Sequence, residues 1–170
     1  KNNNKILFIG NLKYLPNYLA VKDFIKNILP KIKYKFPLMK LEIIGEIKNY
    51  DKFFLSLNKS INCLGPKKKL DKFIKGSICG LANLRIATGI QGKVLTYMSY
   101  GLPVISSKKV AVNFSDSVLT YINNKEFVKK LETLKDNKTI SNKLRKNSKK
   151  LLKDFSQEKI DRSYLKIIKI

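Results

Sequence analysis

The chain has no histidine, two cysteines and 12 acidic residues against 36 basic ones, and of the basic ones only Arg85, Arg145 and Arg162 are arginine. Without histidine, the commonest general base and the usual nucleophile–imidazole arrangements are excluded. Cys63 and Cys79 stand too far apart for a zinc knuckle, and no imidazole is present to complete one. Both lie in apolar surroundings and read as free, buried thiols of a reducing compartment. The carboxylates Glu42, Glu46, Asp51 and Asp71 are scattered, without the pairing that glycoside hydrolysis requires. No apolar run is long enough to span a bilayer. The chain opens on Lys1 rather than Met, so nothing about a leader or anchor is read from its start.

What is present is a large excess of lysine, giving a net charge of +24. One reading is an anionic partner: nucleic acid, acidic lipid or a phosphorylated substrate. The other is compositional drift, since Lys, Asn and Ile are abundant together. Phosphate- and base-gripping surfaces favour the arginine fork, which is nearly absent. Aromatics do not interleave with the lysines as a stacking platform would, so nucleic-acid binding ranks last. A weak pull toward anionic membrane surfaces follows as a by-product. Hydrophobic residues make up 44% of the 170, which excludes disorder and suits one domain over residues 1–170 with a real core.

"KILFIG" reads as a buried strand ending in glycine, and Pro16-Asn17 then opens a helix with Ala20, Val21, Phe24, Ile25, Ile28 and Leu29 on one face. Pro30 is expected to stop or bend that helix. "KLEIIGEI" and "INCLGP" are further strands, "KLDKFIKG" a short helix with Leu70, Phe73 and Ile74 inward, and "SICGLA" a fourth strand. A helix ending at Gly101 follows, then the strand "LPVIS" and a shorter one at Ser117 to Tyr121. Phe127, Val128, Leu131 and Leu134 form one helical stripe, Ile140, Leu144, Leu151 and Leu152 another, and Ile160, Leu165 and Ile168 close the chain. Apolar strands alternating with amphipathic helices predict a Rossmann-like, doubly wound α/β fold: a parallel sheet covered on both faces, with helices at the C-terminal end. Ligands of such sheets sit beyond the carboxyl ends of the strands, the edge where Gly10, Gly45, Gly65 and Thr88-Gly89 gather.

"ATGIQGK" places glycine immediately before a helix start, where unused backbone N–H groups and the positive end of the dipole attract an anion. It is not a Walker loop, because Val94 follows the Gly-Lys pair where Ser or Thr is required and Gly89 stands too close to Gly92. Nor is "FIGNLKYLPN" a dinucleotide fingerprint, having one glycine where three are needed. A phosphate-bearing ligand at Gly89 to Val94 and an ordinary strand-to-helix turn both fit these residues.

The succession "ILFIGNLKYLPNYLAV", "LEIIGE", "LG" before a short helix and "LRIATGIQGKVLTYMSYGLPVIS" resembles the C-terminal domain of GT-B glycosyltransferases, nearest the group-1 (family 4) type, over essentially the whole chain. The resemblance implies half of a GT-B fold that binds a nucleoside diphosphate-sugar, while a separate N-terminal domain, absent here, brings the acceptor. It implies no metal and no cofactor beyond that substrate, a cytoplasmic place, peripheral on the membrane face, and work in cell-envelope polysaccharide synthesis. Backbone amides around Lys93, Val94 and Leu95 would hold the diphosphate. Thr88, Gly89, Ile90 and Gln91 would line the donor sugar, Gly10 and Asn11 would close over the diphosphate, and Gly65 and Pro66 would border the base. Arg85 would support the loop or neutralise phosphate charge. Arg85 as a surface cation and Lys93 as one more solvated lysine are the plain alternatives.

Two departures stand out. The family commonly has two glutamates eight positions apart; Thr88 and Thr96 occupy those positions, and a threonine cannot grip both ribose hydroxyls as a carboxylate does. Loss of that contact weakens donor binding by about 1.5–3 kcal/mol. Asn11 and Asn17 stand where many relatives place an Arg and a Lys, and Lys13 is a partial substitute. Catalysis would rest on positioning and on stabilising the departing diphosphate. The alternative is a catalytically impaired relative kept for binding or assembly.

Overall fold

A computed structural model describes residues 4–87 and 89–155, so Thr88, the stripe of Ile160, Leu165 and Ile168, and Arg162 lie outside the described residues. The described residues form six strands: β1 (Lys5–Ile9), β2 (Lys40–Ile44), β3 (Ile61–Gly65), β4 (Cys79–Ala82), β5 (Val104–Ser107) and β6 (Leu119–Tyr121). All are parallel, in the order β3-β2-β1-β4-β5-β6. That is the expected doubly wound sheet.

Successive strand residues point to opposite faces, so a sheet covered on both sides needs unbroken apolar strands. In β1, Ile6 and Phe8 enter one core with Val21, Phe24, Ile32, Phe127 and Leu131. Leu7 enters the other with Phe73, Val94, Tyr97, Met98 and Val110. The first core is roofed by α1 (Leu15–Asp23), α2 (Leu29–Lys35) and α7 (Asn124–Asp136); the second by α4 (Asp71–Lys75), α5 (Gly92–Ser99) and α6 (Lys108–Ala111). The last described helix, α8 (Lys138–Leu152), packs on α5 and α7. Asn123 and Asn137 cap α7 and α8, accepting from the backbone N–H of Glu126 and Ile140.

Three local expectations are corrected. Of the stop or bend expected at Pro30, the stop does not occur. A π-turn over Phe24–Ile28 intervenes, in which Leu29 N–H reaches back to the Phe24 carbonyl, and α2 restarts so that Pro30 occupies its first turn. There its missing N–H costs no bond. A helix absent from the sequence reading, α3 (Asn49–Ser56), lies between β2 and β3 and buries none of its residues. The last strand begins at Leu119, because Ser115–Ser117 form a 3-10 turn. The two thiols are free, Cys79 buried and Cys63 half-buried, and burial raises the pKa of both.

Candidate functional site

The chain leaves β1 toward β2 and β3, then returns to β4 on the other side of β1 and continues outward to β5 and β6. The carboxyl ends of β1 and β4 thus flank the point where the winding reverses, and loops diverging there leave a crevice. Direct pairing of β1 with β4 runs only through Ile6–Cys79 and Leu7–Gly80. Beyond it, the buried Tyr97 of α5 inserts its hydroxyl between the strands. It accepts from the Ile9 N–H at 2.7 Å and donates to the Leu81 carbonyl at 3.4 Å, in place of the ladder bond those two groups would otherwise make. Gly80 makes room: a Cβ there would lie 2.4 Å from the Tyr97 ring. Burial keeps this phenol neutral far above its ordinary range, so it remains both donor and acceptor.

The loop after β1 forms one wall. Gly10 N–H donates to the Ile44 carbonyl and Leu12 N–H to that of Glu46. Asn11 Oδ1 accepts from Lys13 N–H, and Asn17 Nδ2 donates to the Asn11 carbonyl. Lys13 Nζ is committed to Glu46 at 2.9 Å. Asn17, buried in the first turn of α1, accepts at Oδ1 from Lys93 Nζ at 2.6 Å. The same ammonium stands 4.2 Å from the centre of the Phe8 ring.

Lys93 is therefore not a solvated lysine. It is half-buried, and among the described residues it meets an amide oxygen and a ring face but no carboxylate. Burial without a counter-charge lowers its pKa from 10.5 to about 8. An ammonium so placed retains donors for an incoming anion.

The opposite wall is the loop into α5. Asn83 is buried and ties it to α1 through the Ala20 carbonyl at 2.6 Å; Ser107 Oγ holds the Leu84 carbonyl at 2.6 Å. Arg85 turns to Asp23 at 2.5 Å, which favours loop support over phosphate neutralisation. Gly89 adopts φ +64°, a left-handed conformation natural to glycine, and its carbonyl accepts from Asn113 Nδ2. Ile90 is exposed, and Gln91 is the N-terminal cap residue of α5, with no side-chain cap bond.

Val94 N–H and Leu95 N–H both donate to the Gln91 carbonyl. The expectation that their amides face a diphosphate is corrected accordingly: the amides that the first turn itself leaves unused are those of Gly92 and Lys93. Thr96 spends its hydroxyl on the Gly92 carbonyl at 3.0 Å. Gly65, with φ +68°, lies on the same carboxyl edge but two strands from β1, its carbonyl accepting from Gly45 N–H. The structure joins the Gly10–Asn11 loop to the start of α5 through Asn17 and Lys93, places Gly89, Ile90 and Gln91 in the segment that leads into that helix, and sets Gly65 two strands from β1. Sequence reasoning missed Tyr97, Asn83 and Asn113, and saw Asn17 as a lost cation rather than as the acceptor for Lys93.

A Rossmann-like domain whose glycine loops and uncapped helix start converge on the winding reversal is one half of a GT-B fold. The family model for "Glycosyl transferases group 1" matches residues 3–137, and the chain belongs to that family. No functionally curated relative matches it by sequence. Among solved structures it is similar to S. aureus TarM, in a complex that includes UDP (15% identity, TM-score 0.75, 96% of this chain and 35% of TarM). It is also similar to Anabaena HepE in complex with UDP and glucose (10%, 0.76, 99% and 48%). A third is the C-terminal domain of a glycosyl transferase group 1 family protein, LpcC, from Francisella tularensis (17%, 0.66, 88% and 84%). The chain spans about a third to a half of the length of TarM and HepE.

Proposed function

We propose that this chain is the donor-binding half of a sugar transferase, taking a nucleoside diphosphate-sugar whose sugar passes to an acceptor hydroxyl held by a separate N-terminal domain. The observation that carries the reading is the Lys93 ammonium: unpaired, half-buried, fixed by Asn17, and belonging to the first turn of an uncapped helix beside the β1–β4 crevice. The diphosphate docks on the Gly92 and Lys93 amides and on this ammonium, with the Gly10–Asn11 loop against its other side. Charge that builds on the diphosphate as the glycosidic bond breaks is stabilised there by groups already in place. Ile90, Gln91 and Thr88 line the sugar, and Gly65 and Pro66 border the base. The UDP complexes of TarM and HepE, on the same fold, support this reading.

An impaired relative is the second reading, favoured by Thr96, whose hydroxyl is bound to its own helix and offers no carboxylate to a ribose. Calorimetric titration with uridine and guanosine diphosphates decides. Saturable binding of one of them is expected, and Thr96→Glu tightens it by about 1.5–3 kcal/mol. No measurable heat with either nucleotide overturns the proposal.

A further inference from the structure

The aromatic helix α3 is unlike the rest of the surface. Tyr50, Phe53, Phe54 and Leu57 are each at least half exposed. They are not scattered: the Tyr50 and Phe54 rings are 4.4 Å apart and the Phe53 and Phe54 rings 5.6 Å. The surface continues onto α1, where the Tyr18 hydroxyl bonds to Asp51 beside Tyr50, and where Tyr14 and Leu15, one turn back, are also exposed. A contiguous apolar patch of this kind marks an interaction site.

Its surroundings indicate the partner. Lys52 lies on α3, Lys48 and Lys59 flank it, and Lys67, Lys68 and Lys69 follow β3, the edge strand beside which α3 packs; all are exposed. Among the described residues none of the six has a carboxylate partner, and the patch's one acid, Asp51, is engaged by Tyr18. A protein interface depletes lysine. Aromatic and leucine side chains on a short surface helix, with exposed lysines on it and on the segments beside it, match a headgroup layer carrying negative charge.

We propose that the α1–α3 face docks on an anionic phospholipid bilayer, Phe53, Phe54 and Leu57 entering the headgroup–acyl boundary while the lysines meet lipid phosphates. The proposal stands apart from the nucleotide reading. Docked this way, the β1–β4 crevice opens from the sheet edge about two strand spacings, roughly 10 Å, beyond β3. Among the described residues no helix is long and apolar enough to cross a membrane.

The chain has no tryptophan of its own, so with any tryptophan elsewhere in the protein replaced by phenylalanine each variant carries a single reporter. In the intact protein, Phe54→Trp emission is expected to shift to the blue with vesicles of phosphatidylglycerol and phosphatidylcholine, and not with phosphatidylcholine alone. Tyr34→Trp, on the 93% exposed site of α2, is expected to stay unshifted. Phe53→Ser with Phe54→Ser should lower vesicle co-sedimentation roughly tenfold or more at high salt. Equal shifts at both reporters, or co-sedimentation that salt abolishes and the serines leave unchanged, reduce the effect to bulk charge attraction and overturn the proposal. Phe54→Trp emission already blue before vesicles are added, and unresponsive to them, shows the face covered by another part of the protein and also overturns it.

Discussion

The two walls of the crevice are built differently. The loop after β1 is held by backbone bonds to β2's exit, by Asn11 and Asn17 side chains, and by the buried Leu12. The loop into α5 is anchored at its base by Asn83 and Ser107, but toward its tip it shows Ile86 and Ile90 to solvent, with Asn113 on the Gly89 carbonyl. A preformed wall suits the part of a ligand that never varies, a diphosphate, because no ordering entropy is spent there on binding. A more exposed wall suits the part that varies, the sugar. Lys93 joins the two, arising from the second loop's helix and ending on the first loop's asparagine.

The sharpest way to break this division is Gly92→Glu. Gly92 has an ordinary backbone conformation, and a side chain there meets open space. The fold therefore keeps its stability or gains about 0.3–1 kcal/mol from an acid at the helix start. The same carboxylate faces the diphosphate, and like charges in contact cost several kcal/mol, so UDP affinity measured by calorimetry falls roughly a hundredfold or more.

Lys93→Met tests the joint itself. Removing a charged donor weakens UDP binding by about 1.5–3 kcal/mol. Wild-type affinity falls as pH rises through about 8, where the ammonium is lost, while that of the variant stays flat over the same range. Stability moves the other way. Between about 8 and 10.5 the unfolded chain holds a proton that the folded chain has shed, so wild-type stability rises with pH across that window. Below it the fold carries a buried charge. Urea titration near pH 7 should thus find Lys93→Met more stable by about 1–2 kcal/mol. A variant that binds UDP like wild type would separate Lys93 from the ligand.

Tyr97→Phe tests what keeps the strands apart. It strips the Ile9 N–H and Leu81 carbonyl of their buried partner and is expected to cost about 1–3 kcal/mol in thermal unfolding, with nucleotide affinity falling alongside. Asn113→Ala is the gentlest probe. Freeing the Gly89 carbonyl should leave UDP affinity unchanged, weaken UDP-sugar binding by less than about 1 kcal/mol, and speed amide exchange around Gly89. Equal losses for UDP and UDP-sugar would show that the two walls do not divide the ligand.

Much of this was legible in the chain. Apolar runs such as "ILFI" and "SICGLA" announce buried parallel strands, and "ILFI" is followed at once by its glycine at the carboxyl edge. Elsewhere the local pattern misled. Pro30 reads as a stop or a bend because the ring removes a bond; the helix does not stop, because a π-turn just upstream shifts the register so that no bond is lost. The α3 helix left no inward stripe to detect, since its aromatics face outward. Nothing around Tyr97 in the sequence singles it out; only Gly80, on a different element, shows why a ring and hydroxyl fit there.

By itself the sequence determined the alternation of strand and helix, the parallel sheet and the edge on which its loops collect, because periodicity and glycine placement act over a few residues. Whether Lys93 is one solvated cation among many or the half-buried, unpaired one at the crevice was decided by tertiary structure. Its ammonium meets an asparagine 76 positions away, and Tyr97 meets a strand amide 88 positions away. A side chain's charge state follows from what the winding of the chain sets beside it, and no local pattern carries that information.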